Sequence, residues 1–275
     1  LSYSFDNGVI LNGLVNIYKF TKKKKYLNSA IKCADWIIAC SEKNGLVQPV
    51  YDTSKKKFIF DKKAWSMIPG PYHTKISIGL YNLYSVIKKK KYVNLADNII
   101  KNSISKQRKN GMFLSTTNHT NLHPHCYSAE GIWVAANIFK NEKYYYSVIS
   151  AFNWIKNNMN KNLPPRLFFL KKKNIYNYRV DSISQFLRLM TILNIDNKIE
   201  IDERLIKKLM KILVKNICRS RKKILSGGFY WGNRSNGKKT LCVNTWTTAF
   251  TLQALIYLGL IKSGKNKYLN PFHIV

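Results

Sequence analysis

Residues 13–26 read Gly-Leu-Val-Asn-Ile-Tyr-Lys-Phe-Thr-Lys-Lys-Lys-Lys-Tyr, and their recurrence decides the fold. The same frame returns at 79–92, Gly-Leu-Tyr-Asn-Leu-Tyr-Ser-Val-Ile-Lys-Lys-Lys-Lys-Tyr, and at 131–144, Gly-Ile-Trp-Val-Ala-Ala-Asn-Ile-Phe-Lys-Asn-Glu-Lys-Tyr. Each copy opens on a small residue inside an apolar helical run, passes through a basic turn, and restarts on a tyrosine. Downstream of the tyrosines the frame continues with Ala30 and Ala96, Trp36 and Trp154, Gly45 and Gly111. Self-similarity on this scale predicts an array of helical hairpins, in which each unit buries its apolar face against its neighbours.

The spacing between copies, 66 and then 52 residues, exceeds that of the common helical solenoids. The excess lies between hairpins, where Leu46 to Tyr51 and Lys57 to Phe60 look strand-like. Two weaker copies follow, Val180 to Leu193 with Arg204 to Ile217, and then Asn244 to Leu260 without a partner. The first helix of each hairpin is apolar all round and the second carries a one-sided stripe, the pattern of an inner and an outer layer. The reading is an all-α (α/α) toroid of hairpins with short β pieces at one rim, one domain over residues 1–275. About four and a half hairpins starting at Leu1 read as a fragment that lacks the first hairpins of a ring.

A formal charge of +34 points toward polyanions, since neutralised phosphates drive sequence-independent binding. The composition argues otherwise: 39 of the 47 basic residues are lysine and only 8 arginine, while phosphate-reading sites favour the arginine fork. Lysine runs at the turns between helices read as a compositional background on solvated positions. No specific nucleic-acid partner is expected. Five cysteines without paired spacings give neither a disulfide framework nor a zinc site, and no cofactor is expected. Residues 240–261 carry no charge, but Asn244, four threonines of the helix and Gln253 make them too polar for a membrane span.

In a two-layer ring the entrances of the inner helices face a central cavity. Six residues before Gly13, Gly79, Gly131 and Phe186 stand Asn7, His73, His125 and Val180, with Asp6 and Asp181 adjoining. Either acid could simply cap its helix. Of only thirteen acids, Asp6, Asp52, Glu130 and Asp181 are the ones placed to reach a pocket. Glu130, read as four residues into an inner helix, would have a raised pKa in its apolar run unless paired, which suits a general acid; the competing reading is a buried glutamate that ties helices together. His119, His123 and His125 could ligate a metal, touch substrate, or be satisfied loop residues. Their spacing matches no helical metal motif, Pro124 argues against a regular helix there, and no metal is expected. Trp65, Tyr72, Tyr127, Trp231 and Trp246 could stack on sugar rings or pack the core.

Phe5-Asp6-Asn7-Gly8 with Gly13-Leu14, Tyr26-Leu27 and Ala34-Asp35-Trp36, then His125-Cys-Tyr-Ser-Ala-Glu-Gly131, Asp181-Ser-Ile-Ser-Gln185, and Gly227-Gly228 leading to Asn244-Thr-Trp246, resemble the six-hairpin glycosidase-like (α/α)6 toroids. Within them the likeness is to toroid proteins found with exopolysaccharide biosynthesis. The resemblance implies a carbohydrate-facing cavity that takes a neutral or acidic poly- or oligosaccharide, and adds Gln185 and Asn244 to the residues expected at substrate. Two chemistries stay open. Hydrolysis would use Asp6, Glu130 and Asp181; lyase or epimerase chemistry would use His73, His125 and Tyr127. Substrate contacts would come from Asn7, Trp65, Tyr72, His123, Gln185, Trp231, Asn244 and Trp246. A non-catalytic glycan-binding or assembly protein is the alternative.

Overall fold

The computed structural model describes residues 1–62, 64–265 and 269–274. Among them are nine α-helices: α1 (Ser4–Thr21), α2 (Lys24–Ala39), α3 (Thr74–Ile87), α4 (Lys90–Ser105), α5 (Leu122–Phe139), α6 (Glu142–Asn157), α7 (Val180–Ile195), α8 (Glu203–Lys215) and α9 (Thr245–Lys262). The expected four hairpins and an extra helix are therefore present, although α1 and α5 begin several residues earlier than the sequence reading placed them. The chain divides into two compact units. The first holds Leu1–Thr117, Tyr127–Val148 and Pro271–Ile274, and the second Asn118–Cys126 and Ile149–Asn270.

The lysine runs close the hairpins. Lys22 and Lys88 end α1 and α3 in the left-handed region, with φ of 58° and 56°. Their N–H groups donate to the carbonyls of Tyr18 at 2.8 Å and Tyr84 at 3.0 Å, satisfying acceptors that a helix end leaves open. Lys140, after α5, repeats the conformation at φ 50°. The repeat is thus a repeated turn geometry as well as a repeated pattern of burial.

Within the first unit, β1 (Ser2–Tyr3), β2 (Val50–Asp52) and β3 (Lys57–Ile59) form an antiparallel sheet, so the two strand-like segments do pair. The expected alternation of layers is clearest in α3, where every residue from Thr74 to Leu83 is buried, and in α4, which buries one stripe of Tyr92, Leu95, Ala96, Ile99, Ile100 and Ser103. The helices approach closely where glycine permits it. A Cβ on Gly79 would lie 2.8 Å from the Gly8 carbonyl oxygen, and one on Gly131 would lie 2.3 Å from the Thr74 carbonyl. Gly13, aligned with both in sequence, has open space beside it, and Gly8 makes the contact with Ile76 instead. The first helix also departs from all-round burial: Ile10, Ile17 and Phe20 are exposed, Phe20 by 90%. α3 is surrounded by α1, α2 and α4, whereas α1 packs mainly on α2 and α3.

In the second unit, β4 (His119–Asn121) pairs with β5 (Leu167–Phe169), and β6 (Tyr230–Asn233) with β7 (Lys239–Val243). The aromatic glycine stretch at 227–232 runs into β6. α7 is buried from Val180 to Leu193, while α8 buries only Leu205, Ile206, Leu209 and Leu213 along one face. Asp202 caps α8 by accepting from the Leu205 N–H at 2.9 Å, and Asn244 caps α9 through the Thr247 N–H at 3.0 Å. α9 packs on α7 and leaves Leu252 and Ile256 exposed, so it too departs from all-round burial. The polar residues of 240–261 belong to β7, to the cap residue Asn244 and to α9, and among the described residues no helix is long and apolar enough to cross a membrane.

Candidate functional site

The first unit gathers seven of the expected residues around an aromatic cluster. Phe5, at the start of α1, lies 4.6 Å from Tyr127 and 5.8 Å from Tyr72, ring centre to ring centre. Trp65 stands edge-on to Tyr72 at 5.0 Å. Tyr72 is buried, and its hydroxyl donates to the Ile68 carbonyl at 2.9 Å, so its ring and its proton are committed to structure. Asn7 is likewise occupied: its amide donates to the Tyr3 carbonyl at 2.8 Å and the Ser2 hydroxyl at 3.0 Å, fastening β1 to α1. Asp6, beside it in the first turn of α1, keeps an exposed side chain, and partial burial raises its pKa above the usual carboxylate value.

Glu130 sits at the ninth position of α5, deeper than the sequence reading placed it, because the helix begins at Leu122. Its Oε2 accepts from Lys75 Nζ at 2.8 Å, and neither side chain is open to solvent. Glu130 is thus half of a buried ion pair, as in the reading of a glutamate that ties helices together, and Lys75 Nζ also lies 5.6 Å from the centre of the Tyr127 ring. His73 stacks on Tyr72 at 4.2 Å. Burial, and secondly the charge of Lys106, push its pKa down to about 3, so it stays neutral, and its Nε2 has no hydrogen-bond partner. Asp52 is spent on a turn, accepting from the Ser54 hydroxyl at 2.6 Å and the Lys55 N–H at 3.1 Å, bonds that lower its pKa.

The second unit builds its site on the first turns of α5 and α7. Pro124 does not stop α5: at the third helical position its missing N–H has no partner to lose, and the proline starts the helix rather than breaking it. His123 and His125 are consequently helical, and they diverge. His125 shares a hydrogen bond with the Ala151 carbonyl through Nε2 at 3.1 Å and packs on Trp154 at 4.6 Å, a structural environment. His123 meets Gln185 Oε1 through Nδ1 at 2.5 Å and lies 3.9 Å from Asp181 Oδ2.

Asp181 is almost fully buried and bound by Arg179, and its Oδ1 accepts from the Ser182 N–H at 2.7 Å. Burial alone would raise its pKa, but the charges of Arg179 and His123 and the bonds to the carboxylate outweigh that and hold it below the ordinary value. Arg179 in turn lies 4.7 Å from the centre of the Trp231 ring, and Arg166 lies 5.3 Å from it. Arg166 donates to the Asn177 side chain at 3.1 Å and to the Asn233 carbonyl. A cavity of about 470 Å³ opens here, lined by Arg166, Trp231, Arg234, Thr240 and Asn244 among others. Trp246, on the first turn of α9, is partly exposed and packs against Phe250 at 5.6 Å. Lys75, Arg166 and Arg179 were not among the expected residues. The signal that could have found the arginines was their scarcity in a chain that uses lysine almost throughout, since a guanidinium offers a planar fork that lysine lacks.

Among the described residues no group of three or more His, Cys, Asp or Glu side chains could hold a metal ion. The five cysteines are free thiols.

The fold is shared with solved sugar-processing proteins. Cellobiose 2-epimerase from Bacillus thermoamylovorans B4167 is 14% identical, with a TM-score of 0.70 over 95% of this chain and 72% of its own. A sugar epimerase from a ruminal bacterium is 10% identical, with a TM-score of 0.72 over 96% of this chain and 72% of its own. An unsaturated glucuronyl hydrolase from Streptococcus agalactiae is 14% identical, with a TM-score of 0.67 over 92% of this chain and 70% of its own. No curated protein matches the chain by sequence. The fold class is therefore the (α/α) toroid of helical hairpins, as the hairpin repeat predicted. The sequence model of glycosyl hydrolase family 76 matches residues 2–145, more than half of the chain, and the chain belongs to that family. It is a carbohydrate-active protein of polysaccharide metabolism.

Proposed function

We propose that the protein hydrolyses glycosidic bonds of a poly- or oligosaccharide, with Asp181 as the charged carboxylate. The observation that carries this reading is that Asp181 stays ionised although it is buried. Glycoside hydrolysis asks one carboxyl to hold its proton until the leaving oxygen needs it and another to stay ionised. Arg179 and His123 beside Asp181 keep it charged despite its burial, as the second part requires. Gln185 and Arg179 act on substrate indirectly, by holding His123 and Asp181 in place. Glu130 is assigned to the structure, since Lys75 already neutralises it out of reach of solvent. The elimination or epimerisation set is less well supported: His73 is kept neutral far below its usual range and His125 is engaged with a backbone carbonyl. Incubation with a panel of neutral and acidic oligosaccharides tests the reaction class. New reducing ends without the ultraviolet absorbance of an unsaturated uronate are expected; absorbance growing with the reducing ends would reassign the protein to elimination.

A glycan-binding protein without turnover is the second reading. It is favoured by the same ion pairs, because Glu130 and Asp181 each already have a cationic partner. Saturable binding without any product after long incubation would select it.

A further inference from the structure

The cavity of the second unit gathers arginine charge that, among the described residues, is only partly paired. Arg179 is balanced by Asp181, but among the described residues neither Arg166 nor Arg234 meets a carboxylate within ion-pair distance. Arg166 is only partly exposed, and it is crowded: burial first, and then the nearby charge of Arg179, bring its pKa down to about 10. Holding two guanidinium groups against one Trp231 ring is costly for the empty protein, and that cost falls when an anion arrives. The Nη1 atom of Arg166 is used by Asn177 and the Asn233 carbonyl, which fix the plane of the fork. Beside it, the Thr240 hydroxyl lines the cavity and has no hydrogen-bond partner. At about 470 Å³ the cavity falls within the range of small-ligand sites.

We infer that this cavity, framed by Arg166, Arg234, Thr240 and Asn244 with Trp231 beneath the Arg166 guanidinium, binds the anionic substituent of an acidic saccharide. A uronate carboxylate and a sulfate ester share the needed chemistry, a planar or tetrahedral set of oxygens matched to an arginine fork. Trp231 then supports the arginines instead of stacking on sugar, which differs from its expected part. The assignment also separates a site from the background: the lysine surface is diffuse and exposed, while this charge is concentrated, arginine-based and partly dry. It rests on the saccharide reading above and specifies the substrate class for it.

Titration calorimetry on the full chain tests this with an oligogalacturonide, the same oligosaccharide with its carboxyls reduced to alcohols, and a neutral oligosaccharide with and without sulfate esters. The parent should bind at least one charged sugar about tenfold or more tighter than its uncharged counterpart, the gain of a hydrogen bond to a charged group. Whether carboxyl reduction or desulfation erases the gain identifies the anion. Arg234→Gln, at an exposed position that leaves the fold undisturbed, and Arg166→Gln should each reduce the preference while leaving affinity for the uncharged sugars unchanged. Equal binding of charged and uncharged forms by the parent, or full preference in both variants, would overturn the anionic subsite and leave the saccharide reading standing. A parent that binds none of the four sugars would overturn both.

Discussion

Lys75 Nζ lies 2.8 Å from Glu130 Oε2, and this ion pair joins the first turn of α3 to the middle of α5 with both side chains shut off from water. Two charges removed from solvent together are tolerated, but one left alone is not. Glu130→Gln and Lys75→Met should therefore each destabilise the protein by about 3–5 kcal/mol, and Lys75→Met combined with Glu130→Leu should recover most of that loss. Denaturant unfolding of the three variants measures it. Single variants as stable as the parent would remove the pair from the account and return Glu130 to the candidates for chemistry.

The glycines offer a sharper contrast, because the sequence repeat treats Gly13 and Gly131 alike and the structure does not. Gly131→Ala places a methyl group 2.3 Å from the Thr74 carbonyl and should cost about 1–3 kcal/mol. Gly13→Ala meets nothing within 4 Å and should stabilise α1 by up to about 1 kcal/mol, the ordinary helix preference for alanine. Thermal melts of the two variants should move in opposite directions.

Lys22 and Lys88 adopt a backbone conformation that glycine reaches without strain. Lys22→Gly and Lys88→Gly should each raise stability by about 1 kcal/mol, the cost of a left-handed residue with a side chain less the added chain entropy of glycine. Chemical denaturation reads the change directly; a loss of stability in both would mean that the lysine side chains hold the turns.

His73 makes stability depend on pH in a stated direction. Its folded pKa, about 3, lies below the ordinary value near 6.5, so the unfolded chain binds its proton first. The stabilisation is complete above about pH 6.5 and declines as the pH falls toward 3, with a slope of at most about 1.4 kcal/mol per pH unit from this one group. Asp181, whose folded pKa is lowered, adds a second loss at the acid end, present above its unfolded value near 3.9 and gone as the pH drops through the folded one. Replacing His73 by glutamine should flatten the curve between pH 4 and 6.5 and leave the more acidic limb in place.

The hairpins were legible because burial and turn chemistry repeat together: apolar runs, lysine turns and restarting tyrosines each recur at fixed spacing, and all four hairpins are found where they were read. Pro124 misled because a proline's meaning depends on whether it lies inside a helix or in its first turn, and no residue before it signals that α5 begins at Leu122. Glu130 was left between a general acid and a glutamate that ties helices together, and the sequence alone did not choose. An isolated acid in an apolar run looks unpaired until its partner is known, and that partner, Lys75, was one lysine among 39. The acids with entrance positions, Asp6 and Asp181, were visible from the repeat; the arginines that tune Asp181 come from segments with no repeat to align. Exposed apolar residues on α1 and α9 likewise follow from which helices neighbour them, a property of packing that periodicity does not carry.

The most direct test of the central claim is the rate of reducing-end release from an oligosaccharide that the parent turns over, measured for the parent and Asp181→Asn at matched, folded concentration. Loss of the charged carboxylate should slow release by about 10²–10⁴-fold. Release at the parental rate would contradict the assignment of hydrolysis to Asp181.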